Sequence, residues 1–261
     1  MQNHDMTVTI LGSGTCVPSL ERSSCSAMLE INGTRLLIDS GPGTMRRLLR
    51  TGTTIFDIDY IFYSHFHPDH TAELVPFLFA TKYPDAGQRQ TALTIIAGMG
   101  FESFFAELKR IYGRWIELDP DLVKIIQMNN QSTDLLELNN FTFRSAPVDH
   151  NPESIAYRIT SPGGRSVVYS GDTDYSESLI ELSKDADLLI CESAMPDDYR
   201  ISGHLTPSLA GDIATRAEVG KLVLTHFYPE CDNTDIRQEC RRSYDGPLVL
   251  AEDLMTIKIG S

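Results

Sequence analysis

The chain has 261 residues, of which 41% are hydrophobic and 22% are charged, an ordinary composition for a globular protein. Its 36 acidic and 22 basic side chains give a formal net charge of −14. Nucleic-acid binding takes most of its affinity from Lys and Arg on phosphates, so this balance disfavours a long polynucleotide substrate. No apolar run is long enough to span a bilayer, and the first residues lack the pattern of a signal peptide.

The chain shows no linker that would divide it. It contains no Pro/Gly/Ser-rich stretch, low-complexity tract or internal repeat, so we expect residues 1–261 to form a single domain. The five cysteines are odd in number and include no Cys-x-x-Cys pair. Reduced thiols are the simplest interpretation, and they predict a cytoplasmic protein.

Hydrophobic periodicity and turn residues predict strands and helices along the whole chain. The predicted strands lie at 7–11, 26–31, 35–39, 58–63, 93–97, 141–148, 166–170, 187–191 and 221–225. The predicted helices lie at 44–50, 71–82, 101–112 and 177–184, with another beginning at Pro207. Asn32-Gly33 between two apolar runs indicates a β-hairpin. Gly12-Ser13-Gly14 indicates a tight turn, which we expect at the rim of the functional site. Trp115 is expected in the core.

Four candidate metal ligands lie within six residues, directly after the strand predicted at 58–63: His65, His67, Asp69 and His70. On an extended segment residues two apart point the same way, so His65 and His67 can bind one cation together. A turn at Pro68 lets Asp69 and His70 face a second cation. Three imidazoles and a carboxylate suit zinc, with manganese and iron as the alternatives.

Several predicted strands in the second half are followed directly by a further candidate ligand. These candidates are His150, Asp172, Glu192 and His226. Because the strands of a layered fold align their ends, we expect these groups to converge on one edge with the histidine loop. Asp39, at the end of an earlier strand, either caps the helix that follows or orients a ligand histidine.

The sequence His65-x-His67-x-Asp69-His70 resembles the signature of the metallo-β-lactamase superfamily. Within that superfamily the chain is most similar to the ribonuclease Z group, with a likeness that extends from Ile10-Leu11-Gly12 to Leu224-Thr225-His226-Phe227. The resemblance implies an α/β fold of the α+β kind, a four-layer αββα sandwich. It also implies a dinuclear metal site on one edge of the two packed sheets.

The resemblance implies two divalent cations, zinc in the first place, and seven ligands: His65, His67, Asp69, His70, His150, Asp172 and His226. Asp172 would bridge the two cations. It implies a hydrolase, most simply a phosphodiesterase, in which a bridging hydroxide attacks the scissile ester. Asp69 would orient the nucleophile, while His204, polarised by Glu192, would protonate the leaving group. By position alone His204 is a loop histidine just before a helix that Thr206 caps.

The chain departs from ribonuclease Z itself in three places, one of which is the loop at residues 18–24, which matches that group only in part. That group carries a long tRNA-gripping arm between the residues that match His150 and Asp172, where this chain has 21 residues. Its His-Glu-Ala-Thr motif reads Cys191-Glu192-Ser193-Ala194 here. We therefore expect a small-molecule or short phosphodiester substrate in preference to tRNA. The resemblance suggests a homodimer by analogy.

Three alternatives share these metal ligands. The first is another hydrolase of the same fold, such as a lactonase, thioesterase, arylsulfatase or β-lactamase, because the substrate is selected by the surrounding loops. The second is a di-iron oxidoreductase, a class that typically has Glu at the position of His67. The third is a metal-binding protein without activity.

Overall fold

Runs of β-branched and aromatic residues form two seven-stranded sheets in the computed structural model, which describes residues 6–83, 88–138 and 140–260. The first sheet has the order β14 (Thr256–Ile259), β1 (Met6–Gly12), β2 (Ser26–Ile31), β3 (Thr34–Ile38), β4 (Tyr60–Tyr63), β5 (Leu93–Gly98) and β6 (Val123–Met128). The second has the order β13 (Leu248–Leu250), β12 (Leu222–Thr225), β11 (Leu188–Glu192), β10 (Ser166–Tyr169), β9 (Ile155–Thr160), β8 (Phe141–Pro147) and β7 (Asp134–Leu138).

Helices cover the outer face of each sheet. They are α1 (Thr44–Arg50), α2 (Pro68–Thr71), α3 (Leu74–Ala80), α4 (Phe101–Tyr112), α5 (Glu177–Ser183), α6 (Pro207–Arg216) and α7 (Ile236–Cys240). Residues of α1, α3 and α4 share one apolar cluster with the first sheet, whereas those of α5, α6 and α7 share the other with the second. The predicted four-layer αββα sandwich is confirmed.

Alternate residues of β4 show how the two sheets pack. Ile61 and Tyr63 face the helices of the first sheet, while Phe62 points between the sheets. The Phe62 ring stacks on Phe143 of β8 with ring centroids 4.6 Å apart, and its centroid lies 5.8 Å from that of Tyr157 in β9. All of these side chains are fully buried, so the strand is apolar on both faces.

Strand direction determines where the site lies. Strands β3 to β6 are mutually parallel, as are β10 to β13. Strand β8 runs antiparallel to β9 and β9 antiparallel to β10, so β8 also ends at the edge where β10 ends. The side chains that follow these strands therefore share one edge of their sheet, as the sequence predicts.

The helix predicted at 71–82 is divided into α2 and α3. Pro76 has no N–H for an intrahelical bond, so it is tolerated only in the first turn of a helix. Glu73, between the two helices, accepts the N–H groups of Gly43 at 2.7 Å and Met45 at 2.6 Å. Glu73 therefore serves the N-terminus of α1, and the alternative in which Asp39 caps that helix is wrong.

The Asn32-Gly33 hairpin is found as predicted, with Ile31 paired to Thr34 across a two-residue turn. Both turn residues have positive φ, 49° and 84°, a combination that favours Asn-Gly. Trp115, by contrast, is 44% exposed and lies against Phe79, so its placement in the core is wrong. No helix in the described part of the chain is long and apolar enough to cross a membrane.

The inter-sheet stack gives a stability prediction. Phe62→Ala removes a fully buried ring and leaves a cavity, so the free energy of unfolding should fall by about 3–5 kcal/mol. Urea denaturation of the metal-free protein measures it. Leu20→Ala is the control, since Leu20 is 96% exposed and its loss should change stability by less than about 0.5 kcal/mol. Equal effects of the two substitutions would contradict the packing described.

Candidate metal centre

The structure brings together all seven predicted metal ligands. His65 and His67 follow β4, and Asp69 and His70 lie on α2, which Pro68 begins. The other three follow β8, β10 and β12: His150, Asp172 and His226. Their ligand atoms form two groups, within each of which all the atoms lie within 4.8 Å of one another.

The first group contains His65, His67, His150 and Asp172. Asp172 Oδ2 lies 3.6 Å from His65 Nε2 and 3.9 Å from His150 Nε2. His150 Nε2 is 3.3 Å from His67 Nδ1. Three imidazole nitrogens and one carboxylate oxygen therefore surround one point, a donor set typical of zinc sites.

The second group contains Asp69, His70 and His226. Asp69 Oδ2 lies 3.7 Å from His226 Nε2 and 3.9 Å from His70 Nε2. The other oxygen of Asp172, Oδ1, lies 3.2 Å from His70 Nε2 and 3.3 Å from His226 Nε2. One buried carboxylate thus presents Oδ2 to the first group and Oδ1 to the second.

Asp39 determines which nitrogens of two histidines face the site. Its Oδ2 accepts His70 Nδ1–H at 2.7 Å, which turns His70 Nε2 towards Asp172. Ser64 donates its hydroxyl to Asp39 and accepts from His65 Nδ1 at 3.0 Å, so His65 Nε2 is also unprotonated. Asp39 therefore orients a ligand histidine, the second of its two predicted roles.

The remaining histidines of the first group are also held from behind. His150 Nδ1–H donates to the Gly203 carbonyl at 2.8 Å, and its Nε2 faces the site. Asn151 Nδ2 lies 3.1 Å from His67 Nε2, and Nδ1 of the His67 ring faces His150 Nε2 at 3.3 Å. Each imidazole in this group thus has one nitrogen in contact with a neighbouring group and the other turned towards the centre.

Several of the buried atoms that meet here have no hydrogen-bond partner among the described residues. They are His65 Nε2, His70 Nε2, Asp172 Oδ1 and both ring nitrogens of His226. Lone pairs that face one another in a buried site repel unless a cation or a proton lies between them. This residue set therefore fits a pair of divalent cations.

The pKa shifts report the same need for positive charge. Burial lowers the pKa of His65 well below its usual value. Burial acts in the same direction on His70, but the carboxylates of Asp172 and Asp39 raise its pKa well above the usual value. Burial alone would raise the pKa of Asp172, yet the neighbouring His226 and His70 lower it strongly.

Glu192 and His204 lie in contact beside the two groups. Glu192 Oε1 accepts His204 Nδ1–H at 2.9 Å and the Thr173 N–H at 2.7 Å. His204 offers a ligand-type atom within 4.8 Å of those of Asp172 and His226, so it faces the same centre. Burial lowers the pKa of His204, but the hydrogen bond and negative charge of Glu192 raise it to about 9.

His226 adopts an unusual backbone conformation, with φ of +61° directly after β12. Such a conformation costs about 1–3 kcal/mol for a residue other than glycine. The next residue, Phe227, donates its N–H to the Ser13 carbonyl at 2.9 Å, which ties this turn to the Gly12-Ser13-Gly14 segment. The glycine segment thus supports His226.

Sequence reasoning missed three of the residues that hold the histidines: Ser64, Asn151 and Gly203. Ser64 and Asn151 are sequence neighbours of His65 and His150, so proximity was a usable signal for them. Gly203 contacts His150 across 53 positions of the chain, and no local pattern indicates that contact.

A fold of two sheets with helices outside, together with two groups of His and Asp at one edge, defines the class of metallo-β-lactamase fold proteins. The model of the family described as Beta-lactamase superfamily domain matches residues 34–227. This chain belongs to that family.

Individual proteins show the same similarity. Ribonuclease Z of Haloarcula marismortui is 28% identical over 97% of this chain and 97% of its own length. Ribonuclease Z 1 of Schizosaccharomyces pombe is 30% identical over 98% of this chain, which spans 35% of that protein. The metallo-beta-lactamase fold protein YhfI from Bacillus subtilis superposes with a TM-score of 0.83 at 26% identity, covering 98% of this chain and 100% of YhfI.

The contacts of Asp39 give a second stability prediction. Asp39→Ala leaves His70 Nδ1–H, the Ser64 N–H and hydroxyl and the Tyr169 hydroxyl without their buried acceptor. We expect the metal-free protein to lose about 3–5 kcal/mol of unfolding free energy in urea. Tyr169→Phe removes one of these donors and should cost about 1 kcal/mol. A smaller loss for Asp39→Ala than for Tyr169→Phe would contradict this network.

Proposed function

We propose that this protein is a metal-dependent phosphodiesterase of the ribonuclease Z type. The observation that carries the proposal is the Asp172 carboxylate, whose two oxygens face two separate groups of His and Asp side chains with several unpartnered ligand atoms. The similarity to proteins named ribonuclease Z, over nearly the whole chain, supports the same reaction class.

The residues present fit two divalent cations. His65, His67 and His150 would hold the first, while Asp69, His70 and His226 would hold the second, with Asp172 shared. A pair of such cations supplies an activated water at neutral pH and neutralises charge on the phosphoryl oxygens. Zinc is proposed as the metal because imidazole nitrogens dominate the donor set; manganese and iron remain the alternatives.

The chain's own residues supply the acid chemistry. His204 Nδ1–H is held by Glu192, so its Nε2 is the atom that carries a proton towards the site. The hydrogen bond and negative charge of Glu192 raise the pKa of His204, which favours the protonated ring from which a proton can be donated to the departing oxygen. Asp69 lies among the second group and would orient the attacking water.

The connection between β9 and β10 supports a small substrate. Five residues join these strands, with the Ser161 and Arg165 backbones hydrogen bonded at 2.8 Å, so no arm extends between His150 and Asp172. A short or small-molecule phosphodiester is therefore proposed in preference to tRNA, although the named relatives are ribonucleases. A cytoplasmic location and a homodimer remain predictions.

The test of this function is an activity panel on protein of measured metal content. The zinc- or manganese-loaded protein should cleave bis-p-nitrophenyl phosphate. A chelator should abolish this activity, and adding the metal back should restore it. An aryl sulfate, a lactone, a thioester, a β-lactam and a pre-tRNA with a 3′ trailer complete the panel. His65→Ala should abolish activity and lower metal content. Fully loaded protein that prefers a non-phosphate ester would contradict the proposal.

If His204 donates a proton to the leaving group, the loss of activity in His204→Ala should depend on which leaving group the substrate has. His204→Ala should lower kcat/KM by about 10²–10⁴ for an alkyl phosphodiester, because general acid catalysis is worth that factor. The loss should be much smaller for a p-nitrophenyl ester, whose leaving group departs as an anion without a proton. Steady-state kinetics on the two substrates measure the difference.

Metal content is the control for that variant. It should be unchanged, since the two ligand groups remain complete without His204. Glu192→Gln should also lower kcat/KM more for the alkyl phosphodiester than for the p-nitrophenyl ester. The loss should be smaller than in His204→Ala, because Gln can still contact His204 but carries no charge. Equal losses on both substrates would rule out proton donation by His204.

A further inference from the structure

Asp174 follows the end of β10, and its carboxylate accepts three hydrogen bonds. Oδ2 accepts the Gly203 N–H at 3.0 Å, while Oδ1 accepts the Tyr175 N–H and the Arg200 guanidinium, both at 2.8 Å. Its own N–H donates to the Asp149 carbonyl at 2.7 Å. Asp174 therefore ties the loop that leads into α6 to the ends of β8 and β10.

That loop carries two parts of the proposed site. The Gly203 carbonyl accepts His150 Nδ1–H at 2.8 Å, and the next residue, His204, donates to Glu192. Gly203 has φ of +86°, and a Cβ there would lie 3.2 Å from His150 Nδ1, so the loop packs directly on this imidazole. Any shift of the loop would move the carbonyl that holds His150 and the backbone that carries His204.

We propose that Asp174 is a positioning residue that acts through Gly203 to hold both His150 and His204 in place. The inference rests on the proposed function for the roles of these two histidines, metal ligand and proton donor. Residues that fix a metal-ligating histidine typically change metal affinity or activity by about 10- to 100-fold when they are replaced. Because one carboxylate serves both histidines, its loss should affect metal binding and proton donation together.

The contact with Gly203, and not the ion pair with Arg200, carries this role. Arg200 is half exposed, and an ion pair with an exposed partner contributes little. The Gly203 N–H lies on the loop itself, one peptide from the carbonyl that binds His150. Arg200→Ala, which leaves the contact between Asp174 and Gly203 intact, should therefore resemble the wild type.

The test compares Asp174→Ala with the wild type in three measurements. Zinc affinity, from competition with a chromophoric chelator, should fall by about 10- to 100-fold. The rate on an alkyl phosphodiester should fall more than the rate on a p-nitrophenyl ester, because His204 is displaced. In metal-free protein, the NMR signal of the hydrogen-bonded His150 Nδ1–H should exchange faster with water.

Asp187→Ala is a matched control. Asp187 accepts a backbone N–H, from Ser166 at 2.8 Å, and a guanidinium, from Arg165 at 2.7 Å, where Asp174 accepts two backbone N–H groups and a guanidinium. It directly precedes β11, at the edge of the sheet away from the site. Its loss should leave zinc affinity, leaving-group dependence and the His150 proton unchanged. The same values for Asp174→Ala and Asp187→Ala would overturn the proposal.

Asp174→Asn keeps the test decisive if Asp174→Ala does not fold. Its amide presents either the oxygen or the NH2 group to the Gly203 N–H, and hydrogen exchange of that N–H shows which. If the Gly203 N–H loses protection, zinc affinity should fall by about threefold or more, and if it stays protected, affinity should stay at the wild-type value. Wild-type affinity with an unprotected Gly203 N–H, or reduced affinity with a protected one, would overturn the proposal. A wild-type protein that binds zinc but cleaves no phosphodiester would contradict the proposed function alone, because the affinity and NMR measurements would still test Asp174.

Discussion

The arrangement of the site depends on one buried carboxylate placed between two sets of nitrogen and oxygen lone pairs. Asp172 presents one oxygen to His65 and His150 and the other to His70 and His226. Such a cluster is electrostatically unfavourable by itself, because the lone pairs of its ligand atoms repel one another and are buried away from water. A cation in each group reverses the sign of these interactions, and the rest of the architecture holds the donors ready for it.

Two structural devices keep the donors in place. The parallel strands end at common edges, so residues far apart in the chain arrive at one site without long loops. Hydrogen-bond acceptors behind two of the rings fix their orientation: Asp39 for His70, and the Gly203 carbonyl for His150. These partners select which ring nitrogen carries the proton, and a ring with the wrong tautomer would present an N–H to the centre.

The same placement shifts the pKa values of neighbouring histidines in opposite directions. His204 faces the two groups, yet Glu192 holds its Nδ1–H and raises its pKa, while His65 has its pKa lowered by burial. Two histidines at one edge of the fold thus differ in protonation because their partners differ. A carboxylate in contact with a ring, such as Glu192 beside His204 or Asp39 beside His70, therefore opposes the effect of burial on the pKa of that ring.

Local sequence patterns were enough to predict many of the strands and turns of this protein and the candidate ligands of the histidine loop. The spacing from His65 to His70, the Asn32-Gly33 turn and the apolar strands each act over a few residues, so they can be predicted from sequence. The position of Pro76 could also have been used, because proline restricts a helix locally. The pairing of Asp39 with His70, the exposure of Trp115 and the contact of Gly203 with His150 were decided by the tertiary structure. These depend on which distant segments pack together, and no short stretch of sequence contains that information.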